Sequence, residues 1–126
     1  MRSDQLRSVR HGATCVVYLG PEYNSLDDQV LDEVEHFLLT CIDPPDVKNL
    51  VVDLSNTTFF GSRFIEVLFR AYNRIKRKEG RFGLSGLRGH TEEVIYVSKL
   101  QRLWELVPTP EEAVRRFKGG DSPPEK

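Results

Sequence analysis

An α/β domain, with a mixed, mostly parallel sheet of four to five strands and about four helices, is predicted for this chain by three observations. Strand-like runs alternate with amphipathic helical stretches, in the order β-β-α-β-α-β-α-(β)-α. The run Asn49-Leu50-Val51-Val52-Asp53-Leu54 is apolar without alternation, as in a strand covered on both faces. The length of 126 residues, 39% of them hydrophobic, suits one core and leaves no room for a second domain. The domain is assigned to residues 6–117. Residues 1–5 are read as an extension, and 118–126, with Gly119-Gly120 and Pro123-Pro124, as a flexible tail.

Each element has its own signal. Leu6-Arg7-Ser8-Val9 alternates weakly and reads as an edge strand. Thr14-Cys15-Val16-Val17-Tyr18-Leu19 is a firmer strand, ended by Gly20-Pro21. Leu26, Val30, Val34, Phe37/Leu38 and Cys41 then recur at helical spacing, opposite Asp27, Asp28, Asp32, Glu33 and Glu35, whose outer face is simply solvated. Asn24 or Ser25 can cap this helix, and Asp43-Pro44-Pro45-Asp46 stops it. After strand 49–54 and the turn Ser55-Asn56-Thr57-Thr58, a second helix carries Phe64, Ile65, Leu68, Phe69, Tyr72 and Ile75 as a broad apolar stripe. Ser62 is expected to cap it, and Gly80 to end it. Phe82-Gly83-Leu84 is a further strand, and Thr91 opens a short helix to about Ser98. Leu100, Leu103, Trp104 and Leu106 are expected as core contacts around a short strand. Thr109, Pro110 and Glu112 form the capping-box start of the last helix, with Ala113, Val114 and Phe117 facing inward.

Several functional classes find no support. The longest apolar run falls far short of the ~20 residues of a membrane helix, so no membrane partner is expected. No signal-peptide h-region follows Met1, and a cytoplasmic location is expected. There is no P-loop and no G-x-G-x-x-G. Gly83-Leu84-Ser85-Gly86-Leu87 has leucine where a nucleophile elbow has its second glycine. His11, His36 and His90 fall in unrelated segments and read as surface residues. Cys15 and Cys41, without a C-x-x-C or a histidine at zinc spacing, read as buried reduced thiols. No enzymatic activity, cofactor or metal is expected.

Binding is better supported than catalysis. Residues 11–47 hold eight acids and no Lys or Arg, whereas residues 62–90 hold eight Lys or Arg against Glu66 and Glu79. Such a bipolar surface steers charged partners. Arg63, Arg70, Arg74 and Arg77 share an arc of about 60° on the second helix. That stripe is either a docking face for an acidic surface or an ordinary solvated face. Nucleic acid is not expected, because the chain is net acidic and the stripe has no interleaved aromatics. In a largely parallel sheet, sites lie at the carboxyl ends of strands, which selects the loops 54–62 and 85–90.

In those loops the sequence resembles the STAS domain of bacterial anti-sigma-factor antagonists. Asp53-Leu54-Ser55-Asn56-Thr57-Thr58-Phe59-Phe60-Gly61-Ser62-Arg63-Phe64-Ile65-Glu66-Val67-Leu68 follows the pattern D-x-S-x-[VT]-x-F-[IM]-D-S-[ST]-G-[LI]-x-x-L. Gly80-Arg81-Phe82-Gly83-Leu84, Ser98-Lys99-Leu100-Gln101-Arg102-Leu103-Trp104 and Thr109-Pro110-Glu111-Glu112-Ala113 resemble later family motifs in order. The resemblance implies a partner-switching module. It would bind an anti-sigma factor, often a histidine-kinase-like serine kinase, and be released by phosphorylation at the position of Ser62. It places partner contacts at Thr57, Thr58, Phe60, Gly61, Ser62, Arg63, Glu66, Arg70 and Arg74. Gly61, Arg63 and Phe64 depart from the family's Asp, Ser/Thr and Gly. These departures leave open a phosphorylation-independent scaffold, with other STAS proteins as partners. A small-ligand-binding α/β domain using the glycines at 86 and 89 is a further alternative.

Overall fold

A computed structural model describes residues 6–20, 25–26 and 28–119. In chain order the elements are β1 (Leu6–His11), β2 (Thr14–Leu19), β3 (Ser25–Leu26), α1 (Asp28–Ile42), β4 (Asn49–Asp53), β5 (Phe59–Phe60), α2 (Ser62–Arg77), β6 (Phe82–Ser85), α3 (Gly89–Val97), β7 (Glu105–Val107) and α4 (Pro110–Gly119). Five strands form one sheet in the order β1-β2-β4-β6-β7. Only the edge strand β1 is antiparallel to its neighbour; the other pairings are parallel.

The unbroken apolar runs are explained by cover on both faces. Cys15, Val17, Leu19, Leu50, Val52 and Leu54 point into the large core beneath α1, α2 and α3. Val16 and Val51 point the other way, onto Ala113 and Phe117 of α4. Trp104 is buried where its ring meets Phe69 and Phe82 edge-on, at centroid separations of 5.1 and 5.4 Å. Leu103, expected in that core, is instead 48% exposed. A single 3-10 turn, Leu100–Arg102, swings Leu100 and Trp104 inward and leaves Leu103 on the outside.

Helix ends differ from expectation in several places. Leu26 lies in β3, paired with Phe60, and α1 starts only at Asp28. Of its expected caps, Ser25 is in β3, and Asn24 lies outside the described residues. α3 starts at Gly89, with Thr91 on its first turn; that hydroxyl accepts from the Arg88 N–H and donates to the Arg88 carbonyl. At α4 the Thr109 hydroxyl accepts from the Glu112 N–H (3.2 Å), but the Glu112 carboxylate pairs with Arg115 and Arg116 rather than closing the box. That helix continues to Gly119, into the segment read as tail, while residues 120–126 lie outside the described residues.

The end of α2 differs as well. The left-handed position belongs to Glu79 (φ 62°), not Gly80. The Glu79 and Gly80 amides donate to the carbonyls of Lys76 (2.9 Å) and Ile75 (3.0 Å), closing the helix. Gly80 is required for clearance, because a Cβ there would lie 1.6 Å from the Lys48 carbonyl oxygen. Beside it, the Lys78 ammonium donates to three carbonyls, of Ile42 (2.5 Å), Pro44 (2.9 Å) and Val47 (2.8 Å). One cation thus satisfies the end of α1 and the loop leading to β4.

Candidate partner-binding site

The two loops selected by the sequence are braced together at the carboxyl ends of β4 and β6. Buried Asp53 accepts from the hydroxyls of Ser55 (2.6 Å) and Ser85 (2.8 Å). The Leu54 amide donates to the Ser85 carbonyl, and the Thr57 amide turns back to that of Leu54. Gly86, at φ +76°, lets the second loop press on the first; a Cβ there would come within 2.8 Å of Ser55. The space beside this glycine is therefore filled by protein. A separate polar hollow of about 460 Å³, lined by Arg7, Tyr18, Asp53, Asn56 and Glu111 among others, opens at the ends of β2 and β4.

From this brace the chain enters β5, which pairs in parallel with β3. Strand alternation sends its two phenylalanines in opposite directions. Phe60 is buried against Phe64 (5.1 Å between centroids), whereas Phe59 is 47% exposed and stacks on His90 of α3 at 5.3 Å and 12°. Of the residues expected to touch a partner, Phe60 and Thr57 are therefore core residues, a correction made by strand parity and by the inward turn of the loop. Thr58, Ser62, Arg63, Glu66, Arg70 and Arg74 are exposed, and Gly61 is half-buried. Phe59 and His90 were not among the expected contacts; β5 is two residues long, too short for a period to mark which phenylalanine faces outward.

Ser62 is not the helix cap. Gly61 takes that position, with no side-chain bond, and Ser62 is the first residue of α2. Its hydroxyl consequently stands at the positive end of the helix dipole, in a first turn without acids and next to Arg63. Thr58 and Phe59, both exposed, precede that end in the chain, and exposed Arg63 follows Ser62. Arg74 is about 18 Å along the helix, at 1.5 Å per residue. Arg70 is held by Glu35 of α1, with an Nη2–Oε1 distance of 3.1 Å, and this hydrogen bond raises the guanidinium further above its ordinary pKa. Glu35 is thus a bridge between helices rather than part of a merely solvated acidic face. Among the described residues no group of three or more His, Cys, Asp or Glu could hold a metal ion, and no helix is long and apolar enough to cross a membrane.

A five-stranded mixed sheet layered between helices, with a serine-bearing helix start beside the ends of β4 and β6, is the architecture of the STAS domain. The STAS family profile matches residues 8–113, and the chain belongs to that family. Among solved structures it is similar to an anti-sigma-factor antagonist (STAS) domain protein from Planctomyces limnophilus, with 25% identity over 89% of this chain and 96% of that one and a TM-score of 0.82. It is also similar to the anti-sigma factor antagonist SpoIIAA in its unphosphorylated form, at 19% identity, 90% and 96% coverage and a TM-score of 0.76. The phosphorylated form of SpoIIAA, the Bacillus cell fate determinant, aligns at 19% identity, 88% and 97% coverage and a TM-score of 0.68. No curated protein sequence matches the chain.

Proposed function

We propose that this chain is an anti-sigma-factor antagonist, a protein-binding module of a bacterial partner-switching pathway that works in the cytoplasm without catalysis of its own. Its partner would be an anti-sigma factor, including one that is a histidine-kinase-like serine kinase. The observation that carries the reading is exposed Ser62 at the first position of α2, between Gly61 and Arg63, with Thr58 and Phe59 exposed in the segment that leads into the helix. A phosphoryl group there adds up to about two negative charges where a partner must be desolvated. The helix dipole and Arg63 favour the modified form within the free chain, and the fold need not change.

Ser62→Asp is expected to weaken binding of the cognate partner at least tenfold, ~1.4 kcal/mol, in a calorimetric titration. The same substitution should leave folding stability unchanged or slightly raised, since an acid at a helix start is favourable. Unchanged affinity would remove the switch and favour the scaffold reading. That second reading has its own support. Phe64 is fully buried against Phe60 where the family pattern has glycine, and Gly61 and Arg63 replace the acidic and hydroxyl neighbours of the serine. Affinity capture with the wild-type chain separates the two. Recovery of a histidine-kinase-like ATPase supports the switch, and recovery of other STAS proteins without one supports a scaffold.

Charge reversal tests the lower part of α2. Arg70→Glu with Arg74→Glu is expected to slow partner association severalfold at low salt, with the difference shrinking as salt is added. An unaltered on-rate would return both arginines to the solvated face.

A further inference from the structure

The exposed apolar surface of this chain is concentrated away from Ser62. Of the four large hydrophobic side chains exposed among the described residues, three fall between positions 96 and 103: Tyr96 (48%), Val97 (75%) and Leu103 (48%). The first two end α3, and the 3-10 turn Leu100–Arg102 delivers the third. Between them Lys99 takes the left-handed region (φ 61°), uncommon for a lysine, and turns the chain sharply. Its amide donates to the Tyr96 carbonyl (3.0 Å), and its carbonyl accepts from the Arg102 amide (3.3 Å), which binds the segment into one short knuckle. Burial of Leu100 and Trp104 accounts for the turn, but not for three apolar side chains left in water. Scattered singly, such residues need no explanation; grouped, they mark a surface that another molecule covers.

Beside Leu103 lies a hollow of about 180 Å³, with Tyr72, Lys76, Gln101 and Trp104 among its walls. Two of these residues carry a buried polar atom, Trp104 Nε1 and Gln101 Oε1, with no hydrogen-bond partner among the described residues. A buried donor and a buried acceptor left unpaired are costly, and native proteins keep few of them. Gln101 is half-buried and unbranched, so its amide can swing toward solvent and open the indole N–H to a molecule in the hollow. The rim is basic. Lys76 stands 5.7 Å from the Tyr72 ring, and Lys99 and Arg102 are exposed on the turn. Arg81 is neutralised by Glu105 (2.7 Å), and the acids of α3, Glu92 and Glu93, lie toward its other end.

We infer that the knuckle and the hollow form a second docking surface, whose occupant is an acidic segment of another protein with an apolar anchor. The anchor covers Leu103 and its neighbours, and the acids meet Lys76, Lys99 and Arg102. A main-chain peptide group supplies both the acceptor that the Trp104 N–H lacks and the donor that the Gln101 carbonyl lacks. The hydrocarbon of a bilayer offers neither, which favours a protein segment over a lipid surface. The hollow lies where β6 and β7 begin, at Phe82 and Glu105, whereas Ser62 lies beside the opposite ends of the strands, beyond Asp53 and Ser85. Both surfaces can therefore be occupied together, and this one does not depend on the Ser62 switch.

The test selects a displayed library of short random peptides on the immobilised full chain. Enriched sequences are expected to carry acids beside an apolar residue. A synthetic peptide of enriched sequence should shift the indole N–H resonance of Trp104, the only tryptophan in the chain. Leu103→Glu, and Lys99→Glu with Arg102→Glu, should each weaken that peptide at least ~tenfold. The urea midpoint should stay near that of the wild type, because all three side chains are exposed. Ser62→Asp should leave the peptide's affinity unchanged. No enrichment over a blank surface, sequences without acids, an unmoved Trp104 resonance, or binding that survives the charge reversals or is lost in Ser62→Asp would overturn the inference. So would flotation with phosphatidylglycerol vesicles or self-association that Leu103→Glu abolishes, since the patch would then belong to a membrane or to a second copy.

Discussion

Replacing Gly80 with alanine is expected to lower the unfolding free energy by about 3 kcal/mol or more, read as a fall in the urea midpoint. At an unstrained site the same change stabilises a protein by ~0.4–1 kcal/mol, because alanine restricts the unfolded chain. Here the steric effect dominates. The new Cβ would stand 1.6 Å from the Lys48 carbonyl oxygen and 2.6 Å from its carbon, both backbone atoms. That peptide has little freedom to retreat. The Lys48 and Asn49 amides donate to the Ala13 carbonyl, and the Asn49 side chain bonds Thr14 on one side and the Arg81 amide on the other. Displacing it would loosen the start of β4 and the end of α2 together. Gly61→Ala is the control, since nothing lies within 4 Å of a Cβ there, and a shift within ~0.5 kcal/mol is expected. Equal midpoints for the two variants would show that the helix end and the strand start separate easily.

Phe60→Ala is expected to destabilise by ~3–5 kcal/mol, the range for deleting a buried phenylalanine. Its ring is 1% exposed and sits against Phe64 in the core, at the point where β5 is tied to β3. Phe59→Ala, one residue earlier, removes a half-exposed ring whose partner is His90. Its effect on stability should stay within ~1 kcal/mol, since only an exposed stacking contact is lost. If the surface around Ser62 binds a partner, Phe59→Ala should weaken that binding without touching the fold, as truncated aromatic anchors do. Denaturation profiles and partner titrations on both variants give opposite patterns. A stable Phe60→Ala with impaired binding would return Phe60 to the contact surface.

The pair marks the boundary of what was legible in the sequence. The sheet, its edge strand and the Thr109 cap of α4 follow from local periodicity and local cap chemistry, and residues such as Val51 and Thr109 carry them unaided. The candidate surface was legible as a segment, because strand 49–54 is followed by turn residues and then an amphipathic helix. Which side chains in it face outward was not legible. β3 and β5 have two residues each, too few for a period, and they find each other only in three dimensions. Thr57, polar and in a turn, is drawn into the core. Gly80 answers to Lys48 and Glu35 to Arg70, contacts between distant positions that no local pattern records.

The clasp around Lys78 bears on how α2 meets other molecules. The far end of this 16-residue helix, about 24 Å from Ser62, is fixed to α1 and to the approach to β4 by one ammonium bonded to three carbonyls. Its direction is set during folding, at the end remote from the serine. An arriving molecule finds an element already ordered, and the entropy of ordering it does not subtract from affinity.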